Sequence, residues 1–177
     1  MFKKALILFL PLFFSSCMTE TPSESRSISG NKYTNSDISL SMQFPANWNL
    51  KLDQKFGAID INLVALGVAV SNFSPNVTVI LNPHTGSNDW NKIQETVAVQ
   101  IKAGIKDAGQ YISAIKTRNN KNYLEISYTT TNSGTLLKIK QELLLHNNID
   151  VTVTYTDLAS RFDQNQEFVA IDSSMSI

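Results

Sequence analysis

Few residues in this sequence are equipped for chemistry. Its histidines are His84 and His146. The stretch His84-Thr85-Gly86-Ser87-Asn88-Asp89 gathers an imidazole, a hydroxyl and a carboxylate, the groups used in nucleophilic acyl transfer. A triad depends on spatial order, which local spacing does not supply. The same stretch also precedes an apolar-periodic run, where Ser and Asp serve as helix caps. His146 precedes Asn147-Asn148, a hairpin signal, and lies near Asp150. A zinc centre takes three or four ligands, and neither a CxxC nor an HExxH pattern occurs. With seven glycines there is no glycine-rich phosphate loop. The expectation is no catalytic residue, no metal and no cofactor, with neither histidine essential.

The remaining reactive group is the single cysteine, Cys17. Lys3 and Lys4 open the chain, Ala5 to Phe14 form an apolar run, and Ser15-Ser16 precede the cysteine. This is the layout of a secretory signal. The run is too short to span a bilayer, which takes about 20 residues, and Pro11 interrupts it. The arrangement resembles the signal of bacterial lipoproteins, although Phe14 stands where Leu is usual. That resemblance implies a signal peptide over residues 1–16 and acyl chains, palmitate among them, on Cys17. Each buried methylene then adds about 0.8 kcal/mol of membrane affinity. Met18, rather than Asp, after the cysteine implies the outer membrane, facing the periplasm.

These residues need a scaffold, and composition bounds it. The length suits one domain. Loss of Lys3 and Lys4 leaves the mature chain slightly acidic, without the clustered Lys and Arg that nucleic acid favours. No thiol pair remains for a disulfide, so a hydrophobic core must hold the fold. Thr19 to Asn31 is Ser- and Thr-rich with almost no large apolar residue, and so reads as a flexible spacer. The expected organisation is a linker over 17–32 and one domain over 33–177.

Ile38, Leu40, Met42 and Phe44 alternate with polar residues, as do Trp48, Leu50 and Leu52 beyond Pro45. Both read as half-buried strands. Asn76 to Leu81 is another. Ser87 to Ala108 reads as the main helix, with Ser87 as N-cap, Gly109 as stop, and Trp90, Ile93, Val97, Ile101 and Ile105 on one stripe. Strands follow at Tyr111–Thr117, Leu124–Tyr128, Leu137–Leu145 and Ile149–Tyr155, joined by polar turns. They suggest an antiparallel meander with one face buried and the other Thr- and Lys-rich. Asp163 and Gln166 resemble a capping box opening a short helix with Phe168 and Ile171. The fold class is α+β, a mostly antiparallel sheet flanked by helices.

Phe44-Pro45-Ala46-Asn47-Trp48 resembles the opening of PsbP-like and DcrB-like domains, a strand followed by Pro, two residues and Trp. Leu63-Val64-Ala65-Leu66-Gly67 and Phe73-Ser74-Pro75-Asn76-Val77-Thr78-Val79 are similar to their central segment. The likeness covers about Tyr33 to Ile177. It implies a PsbP-like sandwich and, since members are mostly not enzymes, a non-catalytic role. Members include photosystem accessory subunits, bacterial envelope lipoproteins and a Ran-binding import factor, so fold alone does not carry function.

The function that best fits these features is a lipid-anchored, non-catalytic cell-envelope protein acting as a protein-binding accessory or scaffold module. The alternative is a small-ligand carrier with a pocket between sheet and helix, and a hydrolase ranks last. The expected partners are a membrane, through the lipid, and an envelope protein, with no nucleic acid. Gly57 to Ser74 is long and apolar for a connection. An additional buried strand is its simpler reading, yet Leu63, Leu66, Val68 and Val70 are its best candidates for a partner contact.

Overall fold

The computed structural model describes residues 25–105 and 107–177. Cys17, the signal and most of the linker lie outside the described residues. The chain runs β1 (Arg26–Ser29), β2 (Lys32–Asn35), β3 (Leu40–Gln43), β4 (Asn49–Phe56), β5 (Ile59–Leu66), β6 (Asn76–Pro83), α1 (Trp90–Gly104), β7 (Gly109–Arg118), β8 (Lys121–Asn132), β9 (Thr135–His146), β10 (Ile149–Leu158) and α2 (Gln166–Ser174). The large sheet has seven strands in the order β4-β5-β6-β10-β9-β8-β7, paired antiparallel throughout. The small sheet is β1-β2-β3.

The large sheet is buried on both faces, by different elements. Over β8 and β9, Leu124, Ile126, Tyr128, Ile139 and Leu143 meet the α1 stripe of Ile93, Val97 and Ile101. On the opposite face, Val77, Val79, Val151, Val153 and Tyr155 pack with Tyr33, Leu40 and Met42 of the small sheet and with Phe168 and Ile171 of α2. The expected meander with one buried and one polar face is corrected by the register. Val153 lies opposite Glu142 and Tyr155 opposite Lys140, and directly opposed residues share a face. The apolar side of β10 therefore continues the polar side of β9. The core changes faces between the two strands, and polar residues of each are drawn inside.

Other expectations shift for local reasons. The spacer expected through residue 32 is folded from Arg26 on, because β1 is tied to β2 by ladder bonds rather than by apolar burial. Helix α1 starts at Trp90 with Asp89 as N-cap, its carboxylate accepting from Asn91 N–H. Ser87 Oγ instead accepts from Asp89 N–H at 3.1 Å. The helix ends at Gly104, and Gly109 opens β7 rather than stopping the helix. Asn165, not Asp163, caps α2, accepting from Glu167 and Phe168 N–H. The apolar segment after Gly57 forms β5, as its simpler reading had it.

Candidate functional site

Three regions place the residues of interest. The first is the connection from β5 to β6. Leu63 is sealed in the main core and is therefore unable to touch a partner. Leu66 is half-buried, packed on the cluster of Ile61, Val64 and Ile80. Beyond it Gly67 lies against Trp48, where an added Cβ would come within 2.9 Å of the indole, so only glycine fits. Trp48 is itself fixed by Phe44, Phe168 and a 3.0 Å bond from Nε1–H to Glu167. The chain then projects as a small hairpin. Ser71 and Asn72 both have positive φ, 51° and 64°, as in a type I′ turn. Val70 and Phe73 exchange backbone bonds of 2.8 and 3.0 Å. Phe73 turns inward onto Leu137 and Leu158. Val68 and Val70 stay outside, 55% and 48% exposed.

The second region is a cleft between α1 and the large sheet. His84 and Asp150 meet there, Nδ1 to Oδ1 at 2.7 Å, with side chains only 8% and 4% exposed. His84 follows the last residue of β6, and its N–H donates to Asn148 O at 2.9 Å. Asp150 is the second residue of β10, so adjacent strand ends bring the pair together. Gly86, Ser87, Lys92, Ile93, Thr96, Leu143 and Leu145 complete the cleft, whose empty space is about 340 Å³ with its open mouth included. His84 Nε2 and Asp150 Oδ2 are buried without a hydrogen-bond partner. Burial pushes the Asp150 carboxyl above its ordinary pKa, against the opposing bond from His84.

This geometry differs from a hydrolytic triad. Asp89 is spent on the helix cap, Ser87 Oγ serves Asp89, and His84 Nε2 bonds to neither. The pairing of His84 with Asp150 was invisible in the sequence because 66 residues separate them. His146 lies elsewhere, its Nδ1 3.0 Å from Lys121 Nζ. Burial and then the Lys121 charge lower its pKa. No group of three potential metal ligands converges among the described residues.

The third region is a four-charge cluster on the opposite face of the sheet. Glu142 of β9 is fully buried and receives Arg118 Nη1 and Lys140 Nζ, each at 2.8 Å. Asp172 of α2 accepts from the same two cations, Lys140 at 2.9 Å and Arg118 Nη2. Lys140 also lies 4.3 Å from the centre of the Tyr155 ring, and Arg118 lies 5.0 Å from that of Tyr123. Burial disfavours the Lys140 ammonium, but Glu142 and Asp172 outweigh it and hold its pKa above the ordinary value. The cluster fastens α2 to β7 and β9. Alternation within β9 placed Lys140 and Glu142 on one face, but not their distant partners Arg118 and Asp172.

No protein-family model matches the sequence, and no curated protein matches it. Solved structures do. The solution structure of cyanobacterial PsbP (CyanoP) from Synechocystis sp. superposes with a TM-score of 0.61 at 14% identity, covering 93% of this chain and 98% of that one. LpqN of Mycobacterium tuberculosis, described as involved in cell envelope biogenesis, gives 0.59 at 15% identity over 78% of this chain and 82% of its own. A Pseudomonas aeruginosa protein of unknown function gives 0.53 at 7% identity over 77% and 90%. The chain has a PsbP-like α+β fold. The residues that suggested it, Phe44, Trp48, Gly67, Phe73 and Pro75, converge on Trp48 and the root of the β5–β6 hairpin.

Proposed function

We propose that this chain is a non-catalytic, lipid-anchored domain of the bacterial cell envelope that holds a protein partner through the β5–β6 hairpin. The observation that carries the reading is the hairpin itself. Two exposed valines stand on a turn closed by paired backbone bonds and rooted by Phe73 and Gly67. Such a tip loses little conformational freedom on binding, which removes part of the usual entropic cost. Leu63 drops out of the contact, and Leu66 contributes at most its exposed margin.

The position of the tip agrees with a tether at Cys17. Ser25 O accepts from Ser36 N–H, and Asp37 O accepts from Asn147 Nδ2, so the chain enters beside the β9–β10 turn. The hairpin lies at the other end of the sheet, by Leu137 and Leu158. The steps from Cys17 to Ser25 reach at most about 28 Å. An acylated Cys17 would hold the entry end near the membrane and turn the hairpin away from it. The lipoprotein-like signal and the envelope role described for LpqN support the location, and Met18 favours the outer membrane.

The test is crosslinking in intact envelopes with Val68→Lys and Val70→Lys. Both variants should remain folded and lose the partner crosslink. Retained crosslinking would refute the hairpin as the contact. Mass spectrometry of the mature N-terminus should find Cys17 acylated, and a free thiol there would refute the anchor.

A further inference from the structure

The geometry points to a second site, distinct from the hairpin: the cleft at His84 and Asp150 binds a small oxyanion, a carboxylate or a phosphoryl group. The inference rests on what the dyad leaves unpaired. Asp150 Oδ1 takes up Nδ1 of His84 at 2.7 Å, so Nε2 is the ring position left to meet a ligand. Nε2 has no hydrogen-bond partner, in a side chain more than nine-tenths buried. A buried polar atom left unpaired is costly, so the fold retains this arrangement at a loss unless something completes it.

The lining of the cleft specifies what would complete it. Beside the dyad, Lys92 adds one positive charge. That ammonium is on the exposed side of α1 and makes no ion pair among the described residues. Ser87 Oγ accepts from Asp89 N–H, which leaves its hydroxyl proton to donate. The cleft thus offers a histidine Nε2, an ammonium and a hydroxyl, a set suited to oxygen anions. Ile93, Leu143 and Leu145 form an apolar floor that would take a short hydrocarbon stem. The enclosed part of the cleft is only about 40 Å³, far below the pockets of about 300–1,000 Å³ that hold drug-sized ligands, so it suits a small headgroup or free anion rather than a large molecule.

The experiment titrates the intact chain with acetate and, separately, with inorganic phosphate, at ionic strength held constant with chloride. The readout is the nitrogen-15 resonances of the histidine rings. Saturable movement of the His84 signals at millimolar anion, with His146 unmoved, is expected. Saturation by acetate alone assigns a carboxylate, and by phosphate alone a phosphoryl group. Lys92→Ala should raise the midpoint several-fold with unchanged circular dichroism; as a second readout, acetate or phosphate should raise the melting temperature more than chloride does, and His84→Gln should abolish that rise. Movement no larger than with chloride, or an unchanged midpoint in Lys92→Ala, overturns the proposal. Both readouts are independent of partner crosslinking, so the hairpin and the cleft stand or fall separately.

Discussion

Glu142 and Asp150 occupy neighbouring strands, β9 and β10, and both are nearly sealed from solvent, yet their surroundings differ. Glu142 has both oxygens engaged, by Arg118 and Lys140, and those cations continue to Asp172. Asp150 has one partner and a free Oδ2, and that partner has a free Nε2. The first cluster closes on itself and joins a helix to a sheet. The second ends in open valences at a cleft. Buried ionic groups are retained either because every bond is made or because something outside the chain makes the last one. The two clusters illustrate the two cases on opposite faces of one sheet.

The comparison breaks most readily at Glu142. Glu142→Gln keeps the shape but removes the charge that two cations share, and turns an N–H₂ group toward one of them. Breaking a buried pair on one side costs about 3–5 kcal/mol. Arg118 and Lys140 retain Asp172 and some solvent contact, so the loss should be near the lower end, about 3 kcal/mol in urea unfolding. A loss below about 1 kcal/mol would mean that the cluster is not what fastens α2.

A pH experiment probes the core on the Glu142 face. Tyr155 lies on the Glu142 side, its pKa raised well above the ordinary value by burial and then by the Glu142 and Asp172 charges. Tyr33, in the same core, is pushed up to about 12 from 10.0, mainly by burial. A raised phenol pKa means that the folded state holds its proton longer. Its stabilising contribution is therefore complete below pH 10 and is lost as pH rises toward the folded value. For Tyr33, the rise from 10.0 to about 12 corresponds to about 3 kcal/mol. Stability measured against pH should fall steeply above pH 10, and Tyr33→Phe should remove that share of the slope. An unchanged slope in Tyr33→Phe would place the alkaline loss elsewhere.

The amide substitution matched to the first is Asp150→Asn. It leaves an acceptor for His84 Nδ1–H and removes a carboxylate whose charged form burial already disfavours. The cost should be about 1 kcal/mol, well below that of Glu142→Gln. Equal costs would make the cleft pair a structural element like the cluster, and would weaken the case that it awaits a ligand.

How far the sequence disclosed these features follows from the range of the interactions. The α1 stripe of Ile93, Val97 and Ile101 was readable because helical period is local, and the strands were readable from alternation. Asp89 rather than Ser87 as N-cap, and Asn165 rather than Asp163, are errors of two residues within correctly placed helices. The folded β1 was missed because Arg26-Ser27-Ile28-Ser29 carries one apolar side chain and depends on ladder bonds to β2. The exchange of faces between β9 and β10 was missed because register is a pairing between strands, not a property of either. Both charged clusters escaped for the same reason: Arg118 is 54 residues from Asp172, and His84 is 66 from Asp150. The exposed hairpin was only half legible. The apolar content of Leu63 to Val70 was visible, but not which of those residues the sheet would absorb.

The smallest expected effect is the sharpest discriminator, and it uses two lysines. Lys140 sits within the Glu142 cluster, over the Tyr155 ring, with its ammonium bonded to two carboxylates. Lys92 borders the cleft with its ammonium in no ion pair among the described residues. If the clusters differ as argued, Lys140→Ala removes charge-assisted bonds and should cost about 2 kcal/mol. Lys92→Ala removes nothing the fold uses, since its backbone oxygen still accepts from Thr96, and Ala is the stronger helix former. Its stability should stay within about 0.5 kcal/mol of the parent, as for a surface change away from special features. Urea unfolding of the two variants side by side checks both values. A loss above about 1 kcal/mol in Lys92→Ala would show that the lysine already has a structural partner in the folded chain, and the charge assigned to an incoming anion would then be committed within the protein.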